Sequence, residues 1–352
     1  MQTHNDHSMT EQKLQYLCRA LDVVANLDVY GKNVIPRLHQ SAIAAQAGGP
    51  LSLLGARALV EKVQHRDAVV ICTGFPERTW IARPIVETDG PPAAATFARS
   101  LFTALGALPI ILIDEPFVPV MEATCRGAGM VPIDLKYFEN VKREGGFQAV
   151  FVVGVPLARD KAHKLHDDLL ERLCPSAVVA IERPGQNEFG VYHQVGGERI
   201  PDDAVADMDY IFKKASGLNI LTVGVGDGGN EIGMGVLGGE LGTILPVTQK
   251  CRCPCGGGSA AVTRTDVLIT GTCSNWAVTA LEGAIALVTG NRHALHTNSV
   301  DWRTLSACSA AGGIDGGVNY NTDPAVDDIP WPGYRAAVDL CRDIVDRALG
   351  RP

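Results

Sequence analysis

The residues best suited to chemistry lie in one stretch of the 352-residue chain, Leu221 to Gly235, reading LTVGVGDGGNEIGMG. A β-branched apolar run, Ile220 to Val225, predicts a buried strand, and glycine then recurs at 224, 226, 228, 229, 233 and 235. Those glycines permit positive φ and close backbone approach to a ligand. In the turn, Asp227, Asn230 and Glu231 offer oxygen ligands or proton chemistry. Gly224 to Gly229 fits the G-x-G-x-x-G pattern of dinucleotide sites, but Asp227 would sit where a pyrophosphate must approach, so no nucleotide cofactor is expected. The turn is built to present carboxylates.

Further acids follow other apolar runs. Pro109 to Ile113 ends in Asp114-Glu115, and Ala177 to Ile181 runs into Glu182-Arg183-Pro-Gly185. Ala68 to Cys72 ends in Thr73-Gly74, and the loop after it carries Glu87-Thr-Asp89-Gly. Ala149 to Gly154 and Asp266 to Thr270 add two strands, and Val131 to Asp134 a short one. Helical spacing marks Glu11 to Leu27, Leu51 to Gln64, Pro92 to Leu105, Val118 to Gly129, Lys161 to Leu173, Ala204 to Ser216, Ser274 to Val288 and Tyr334 to Leu349. Glu87 reads as a cap for the helix that opens near Pro92.

Strands alternating with helices predict an α/β fold: a layered α/β/α sandwich with a largely parallel sheet. In such sheets ligands bind beyond the carboxyl ends of the strands, so the acids after successive strands should converge on one cleft. Converging carboxylates are costly unless cations or shared protons offset them, which predicts a divalent cation, Mg or Mn, or strongly perturbed pKa values. The expected division is an N-terminal helical segment, residues 1–64, packed on a main α/β domain, residues 65–352.

Composition narrows the function classes. At 46% hydrophobic and 20% charged residues the chain is ordinary for a globular enzyme, and it carries no apolar run of the roughly 18 residues that a membrane span needs. A net charge of −8 without clustered Lys and Arg argues against nucleic acid. The polar Met1 to His7 lacks the pattern of a secretory signal, so a cytoplasmic location is the default expectation. Most of the ten cysteines sit in apolar stretches and read as buried thiols. Cys251-Arg-Cys253-Pro-Cys255 departs from the usual C-x2–4-C zinc spacing and has no partner pair nearby, so free exposed thiols are expected there.

The ordered set Thr73-Gly-Phe, Glu87-Thr-Asp-Gly-Pro91, Glu182-Arg-Pro-Gly185, Gly226 to Gly235, Ser274-Asn-Trp-Ala277 and Gly313-Ile-Asp-Gly316 resembles the D-glutamate cyclase family over about residues 65 to 320. The resemblance implies a lyase that interconverts D-glutamate and 5-oxo-D-proline with loss of water. Cyclisation asks a base to take the amine proton and something to neutralise the γ-carboxylate, either an acid or a metal. Asp89, Asp227 and Glu231 are the candidates for metal ligands or for the acid/base pair, and Glu182 is the next candidate base. Arg183 would clamp the α-carboxylate, or else pair with a neighbouring acid. Asn230 and Asn275 would hydrogen-bond the developing oxyanion, with Thr73 and Gly74 at the same edge for substrate. Two other readings stay open: a divalent-metal phosphoester hydrolase, which should add Lys or Arg to the cleft, and a non-catalytic small-molecule sensor. A homo-oligomer is compatible with all three.

Overall fold

Strand β1 (Ala68–Thr73) is buried along its whole length, and its side chains divide between two cores. Val69 and Ile71 join the core on one face, and Val70 and Cys72 the core on the other, as the two-residue period of a strand dictates. In this computed structural model, which describes residues 9–83, 85–317 and 324–350, six more strands complete the sheet. They are β2 (Leu108–Asp114), β3 (Val131–Ile133), β4 (Ala149–Val155), β5 (Ala177–Ile181), β6 (Leu221–Gly226) and β7 (Val267–Thr270). All neighbours pair in parallel, in the order β3-β4-β2-β1-β5-β6-β7. Met1 to His7 and the end of the small-residue segment from Ser306 to Asn319 lie outside the described residues.

Helices cover both faces, the layered arrangement expected. Contributing to the larger core are α1 (Glu11–Ala25), α2 (Val34–Ala45), α3 (Leu51–Lys62), α4 (Pro91–Leu105) and α5 (Val118–Gly127). On the opposite face lie α6 (Phe138–Glu144), α7 (Arg159–Leu173) and α8 (Asp209–Gly217). The remaining elements are α9 (Glu240–Ile244), α10 (Ser274–Thr289), α11 (Asn298–Ala310), the short β8 (Ala325–Val326) and β9 (Ile329–Pro330), and α12 (Trp331–Ala348). Helix α10 is buried from Ser274 to Leu287, and α3 packs so tightly on it and on β7 that a Cβ at Gly55 would meet Ile269 Cδ1 of β7 at 2.7 Å and Leu281 Cδ1 of α10 at 3.1 Å.

The N-terminal helices are hooked to the sheet at its β7 end. Asn26 Nδ2 donates to Thr270 O (3.0 Å), and Thr272 N donates to Ala25 O (2.8 Å). These bonds carry the chain after α1, with Tyr30 and Lys32, across the carboxyl ends of the strands.

Those ends are level. Thr73 pairs with Ile181 and Ile181 with Val225, so Glu182 and Asp227 leave the sheet at the same edge. Connections from β1 and β5 run to opposite sides of the sheet, which makes the crevice between them the topological switch point where such folds bind ligands. One helix begins later than its sequence suggests. Ala206 N donates to Asp114 Oδ1 (2.5 Å) and Ala206 O accepts from Arg183 Nη2 (2.6 Å), so this backbone is committed elsewhere and α8 opens only at Asp209.

Candidate active site

The Glu182 to Gly185 segment and the glycine-rich turn brace each other: Ile232 N donates to Arg183 O (2.9 Å) and Gly185 N to Asn230 O (2.8 Å). Below them, Gly224 and Gly233 are nearly in backbone contact, since a Cβ on Gly224 would lie 2.7 Å from Gly233 Cα. A side chain at either place would push the turn off the strand. Glu182 itself sits at φ 43°, a left-handed conformation uncommon for a non-glycine residue and one that collects at functional sites.

The third partner is the N-terminus of α10. Asp89, from the loop after β1, accepts from Asn275 N through Oδ1 (2.8 Å) and from Ser274 N through Oδ2 (2.7 Å). Asp227 Oδ2 also accepts from Ser274 N (3.1 Å), and Ser274 Oγ donates to Glu182 Oε2 (2.7 Å). The free N–H groups and positive end of α10 thus attract acids from two loops, while its first side chain orients a third acid. Asp89, Glu182 and Asp227 each offer a carboxylate oxygen within 4.8 Å of the others.

A cavity of about 430 Å³ opens over Glu182 and Asp227, lined also by Tyr30, Lys32, Glu87, Asn230, Glu231 and Asp327 among others. That is the size of a small-molecule site. A larger groove of about 820 Å³ between α7 and α8 lies at the amino ends of β5 and β6, beside Pro175 and Ile220, away from the convergent acids. Of the described residues lining the smaller cavity, Lys32 is the one cation against eight carboxylates.

Such crowding moves proton affinities. Burial pushes Asp89 up to about 6, against the pull of the Asn275 and Ser274 N–H groups. Burial first, and then neighbouring carboxylates, hold Glu87, Glu182, Asp227 and Asp327 well above the ordinary carboxylate range. Glu231 is raised by burial as well, but turn N–H groups oppose the shift. At neutral pH this set shares protons unless a cation replaces them.

Several residues hold other places than their sequence suggested. Arg183 is not free to clamp a substrate: it is fully buried, its Nη1 bonding Asp114 Oδ2 and Gly74 O (2.9 Å to the carbonyl) and its Nη2 bonding Asp114 Oδ1 (3.1 Å). Asp114 is thereby withdrawn from the cleft, and Glu115 is exposed. Glu231 does not join the three-carboxylate ligand set, because its oxygens accept from Gly228 N (2.6 Å) and Gly229 N (2.8 Å) and hold the turn closed. Asn275 Oδ1 accepts from Gly90 N (2.9 Å) and its Nδ2 donates to Thr88 O (3.0 Å), so the amide braces the loop that carries Asp89. Asn230 lines the cavity with Nδ2 donating to His193 O (3.0 Å) and Oδ1 buried without a partner, a free acceptor. Thr73 Oγ1 is likewise buried and unpartnered, beside Gly90, whose φ of 96° and missing Cβ keep room for it and for Glu182. Glu87 does not cap α4, whose N-cap is Gly90 without a side-chain bond; it faces the cavity instead.

The model of the family described as D-glutamate cyclase-like, C-terminal, matches residues 30–340. The chain belongs to that family. Among the family's curated relatives, the mitochondrial D-glutamate cyclase of Homo sapiens is 30% identical over 175 residues, 49% of this chain and 26% of the human protein. The chain therefore covers about a quarter of that relative's length. The D-glutamate cyclase-like match begins at residue 30, next to Tyr30 and Lys32, so the segment that closes the cavity belongs to the family's pattern. Among the described residues, no helix is long and apolar enough to cross a membrane.

Sequence reasoning missed four members of the site. Asp327 follows a two-residue strand, too short to signal itself. Tyr30 and Lys32 lie in a turn between helices, and the position of Ser274 at a helix start was visible but its hydroxyl's partner was not.

Proposed function

We propose that the cleft interconverts D-glutamate and 5-oxo-D-proline with loss or gain of water. The observation that carries this reading is the proton-sharing set Asp89, Glu182 and Asp227 against the α10 N-terminus. In cyclisation the amine nitrogen bonds to the carbon of the γ-carboxyl group, one C–O bond of that group breaks, and the two protons that the ammonium gives up leave on the departing oxygen as water. Coupled carboxylates suit that balance, because one group can accept a proton while its neighbour donates one. Glu182, oriented by Ser274 Oγ, takes the base role; Asp227, kept protonated by burial and by Glu182, takes the acid role. The Asn230 Oδ1 acceptor would hold the substrate ammonium, and the folded pose supplies the advantage of intramolecular attack.

Glutamate brings two carboxylates of its own into an acidic cavity, so a cation fits the site. Asp89, Glu182 and Asp227 are oxygen donors of the kind that Mg or Mn selects. Such an ion, when bound, would polarise the γ-carboxylate as a Lewis acid. The phosphoester reading is weakened by the lining, where Lys32 stands without an arginine: Arg183 is spent on Asp114, and Arg78 reaches Gly316 O (3.4 Å). Ten unbridged cysteines fit the reducing, cytoplasmic setting that the sequence suggests.

Turnover of D-glutamate and of 5-oxo-D-proline by metal-stripped protein, with and without Mg or Mn, tests the proposal. Wild type should form product, and Asp227→Asn should be slower by about 10²–10⁴. A folded wild type with no turnover in any condition would reject the reaction and leave the family membership standing.

A further inference from the structure

The three thiols expected to be free are not scattered. Cys251, Cys253 and Cys255 alternate with exposed Arg252 and Pro254, so all three sulfurs point inward from one side of the loop. Cys251 Sγ lies 3.5 Å from Cys253 Sγ and 3.4 Å from Cys255 Sγ. A fourth donor comes from about sixty residues earlier in the chain: His193 Nε2 is 3.2 Å from Cys253 Sγ and 3.7 Å from Cys255 Sγ. All four donor atoms fall within 4.8 Å of one another. A tetrahedral zinc with bonds of about 2.3 Å to sulfur and 2.0 Å to nitrogen would set its ligand atoms roughly 3.5–3.8 Å apart. The observed separations are those of such a tetrahedron, slightly contracted.

The surroundings are built for the same purpose. Asn187 Nδ2 donates to Cys255 Sγ (3.5 Å) and to Gly258 O (2.8 Å), the outer contact that steadies a thiolate ligand. Backbone bonds from Cys251 N to Gly257 O (3.0 Å) and from Arg252 N to Gly197 O (2.9 Å) fix the loop against the segment that carries His193. The His193 ring is buried and its peptide oxygen accepts from Asn230 Nδ2, so this cluster stands directly behind one wall of the acidic cavity.

We infer that Cys251, Cys253, Cys255 and His193 form a structural Cys3His zinc site that clips the 251–258 loop to the 187–200 segment and so fixes Asn230 in the cavity wall. It is separate from the carboxylate set, whose hard oxygen donors suit a different class of metal. Four protein ligands close the coordination sphere and leave no position for substrate, the mark of a structural centre.

The test is metal content, read independently of turnover. Protein purified under reductant and without chelator, then measured by elemental analysis and native mass spectrometry, should carry about one zinc per chain. His193→Ala and Cys253→Ser, made singly and checked for fold by circular dichroism, should bring this close to zero, whereas Cys174→Ser, at an exposed cysteine outside the cluster, should not. Cobalt substitution should give a thiolate-to-metal charge-transfer band in wild type that both ligand variants lose. Wild type that holds no transition metal and takes up none when titrated with zinc under reductant would overturn the site. Unchanged zinc content in both ligand variants, or a Cys251–Cys255 disulfide that persists under reductant, would also overturn it.

Discussion

Glu182 and Arg183 are adjacent in the chain and opposite in circumstance. Arg183 turns to one side of the β5 end and meets Asp114 and two carbonyls, so a buried cation is answered by a buried anion. Glu182 turns to the other side and meets Asp89, Asp227 and Glu231, so a buried anion is answered by more anions. The first arrangement makes a rigid strand end that asks for nothing further. In the second, a cost is left standing that only a proton, a metal ion or a substrate ammonium can remove. Two neighbouring peptide units thus separate the part of the edge that is electrostatically matched from the part that is not.

The largest effect should come from breaking the matched side. Arg183→Met would strand Asp114 in the interior and cost about 3–5 kcal/mol of stability by denaturant titration, and pairing it with Asp114→Leu should recover most of the loss. If Arg183→Met alone left the midpoint unmoved, the pair would not be the anchor described.

The unmatched side should show itself in pH. Unfolded carboxyls release their protons near pH 4, whereas Asp89 keeps its proton to about 6 when folded and Glu182, Asp227 and Asp327 are also held well above the ordinary carboxylate range. Between those limits the native state holds more protons than the unfolded chain, so stability falls as pH rises, by about 1.4 kcal/mol per pH unit for each such proton. Thermal midpoints from about pH 4 to 8 should therefore decline, and Asp227→Asn should flatten the decline. Saturating Mg or Mn should restore the midpoint at the upper end. A midpoint that rises across this range would remove the case for an uncompensated cluster.

The smallest effect sharpens the roles. Ser274→Ala removes the donor to Glu182 Oε2, a charge-assisted bond worth about 1.5 kcal/mol, so stability should fall by no more than about that amount and turnover should fall with it. Because the lost bond favours ionised Glu182, the limb of the rate profile governed by the base should move to higher pH. An unchanged profile would take Glu182 out of the base role.

Much of the architecture was legible because β-branched runs and turn glycines mark parallel strands locally, and the core strands fall where those runs lie. Helices α2 and α11 were not foreseen; α11 mixes small and polar residues without a clear apolar stripe, whereas α2 buries Ile35, Leu38 and Ala42 on one face but has Pro36 near its start, which reads as a break. Within the site, Asp89, Glu182 and Asp227 were visible as acids after strands. What they face was not, since side-chain direction at a strand end depends on partners far away in sequence. Glu231 and Asp227 are four apart in one turn and both line the cavity, yet Glu231 is held by turn N–H groups and Asp227 joins the three-carboxylate set. The cysteine loop was opaque for the same reason: its spacing was judged within the loop, and His193, which lies 3.2 Å from Cys253 Sγ, arrives from another segment.

The hydroxyl of Tyr30 donates to Asp327 O (2.6 Å), a bond spanning 297 positions, and both residues line the cavity. During synthesis the strands from β1 to β7 can pair while the last part of the chain is still inside the ribosome, but this closure cannot form until Asp327 has emerged. Asp89, Glu182 and Asp227 can therefore meet on the sheet edge first, and Asp327 joins them last, when Tyr30 closes over a framework already folded.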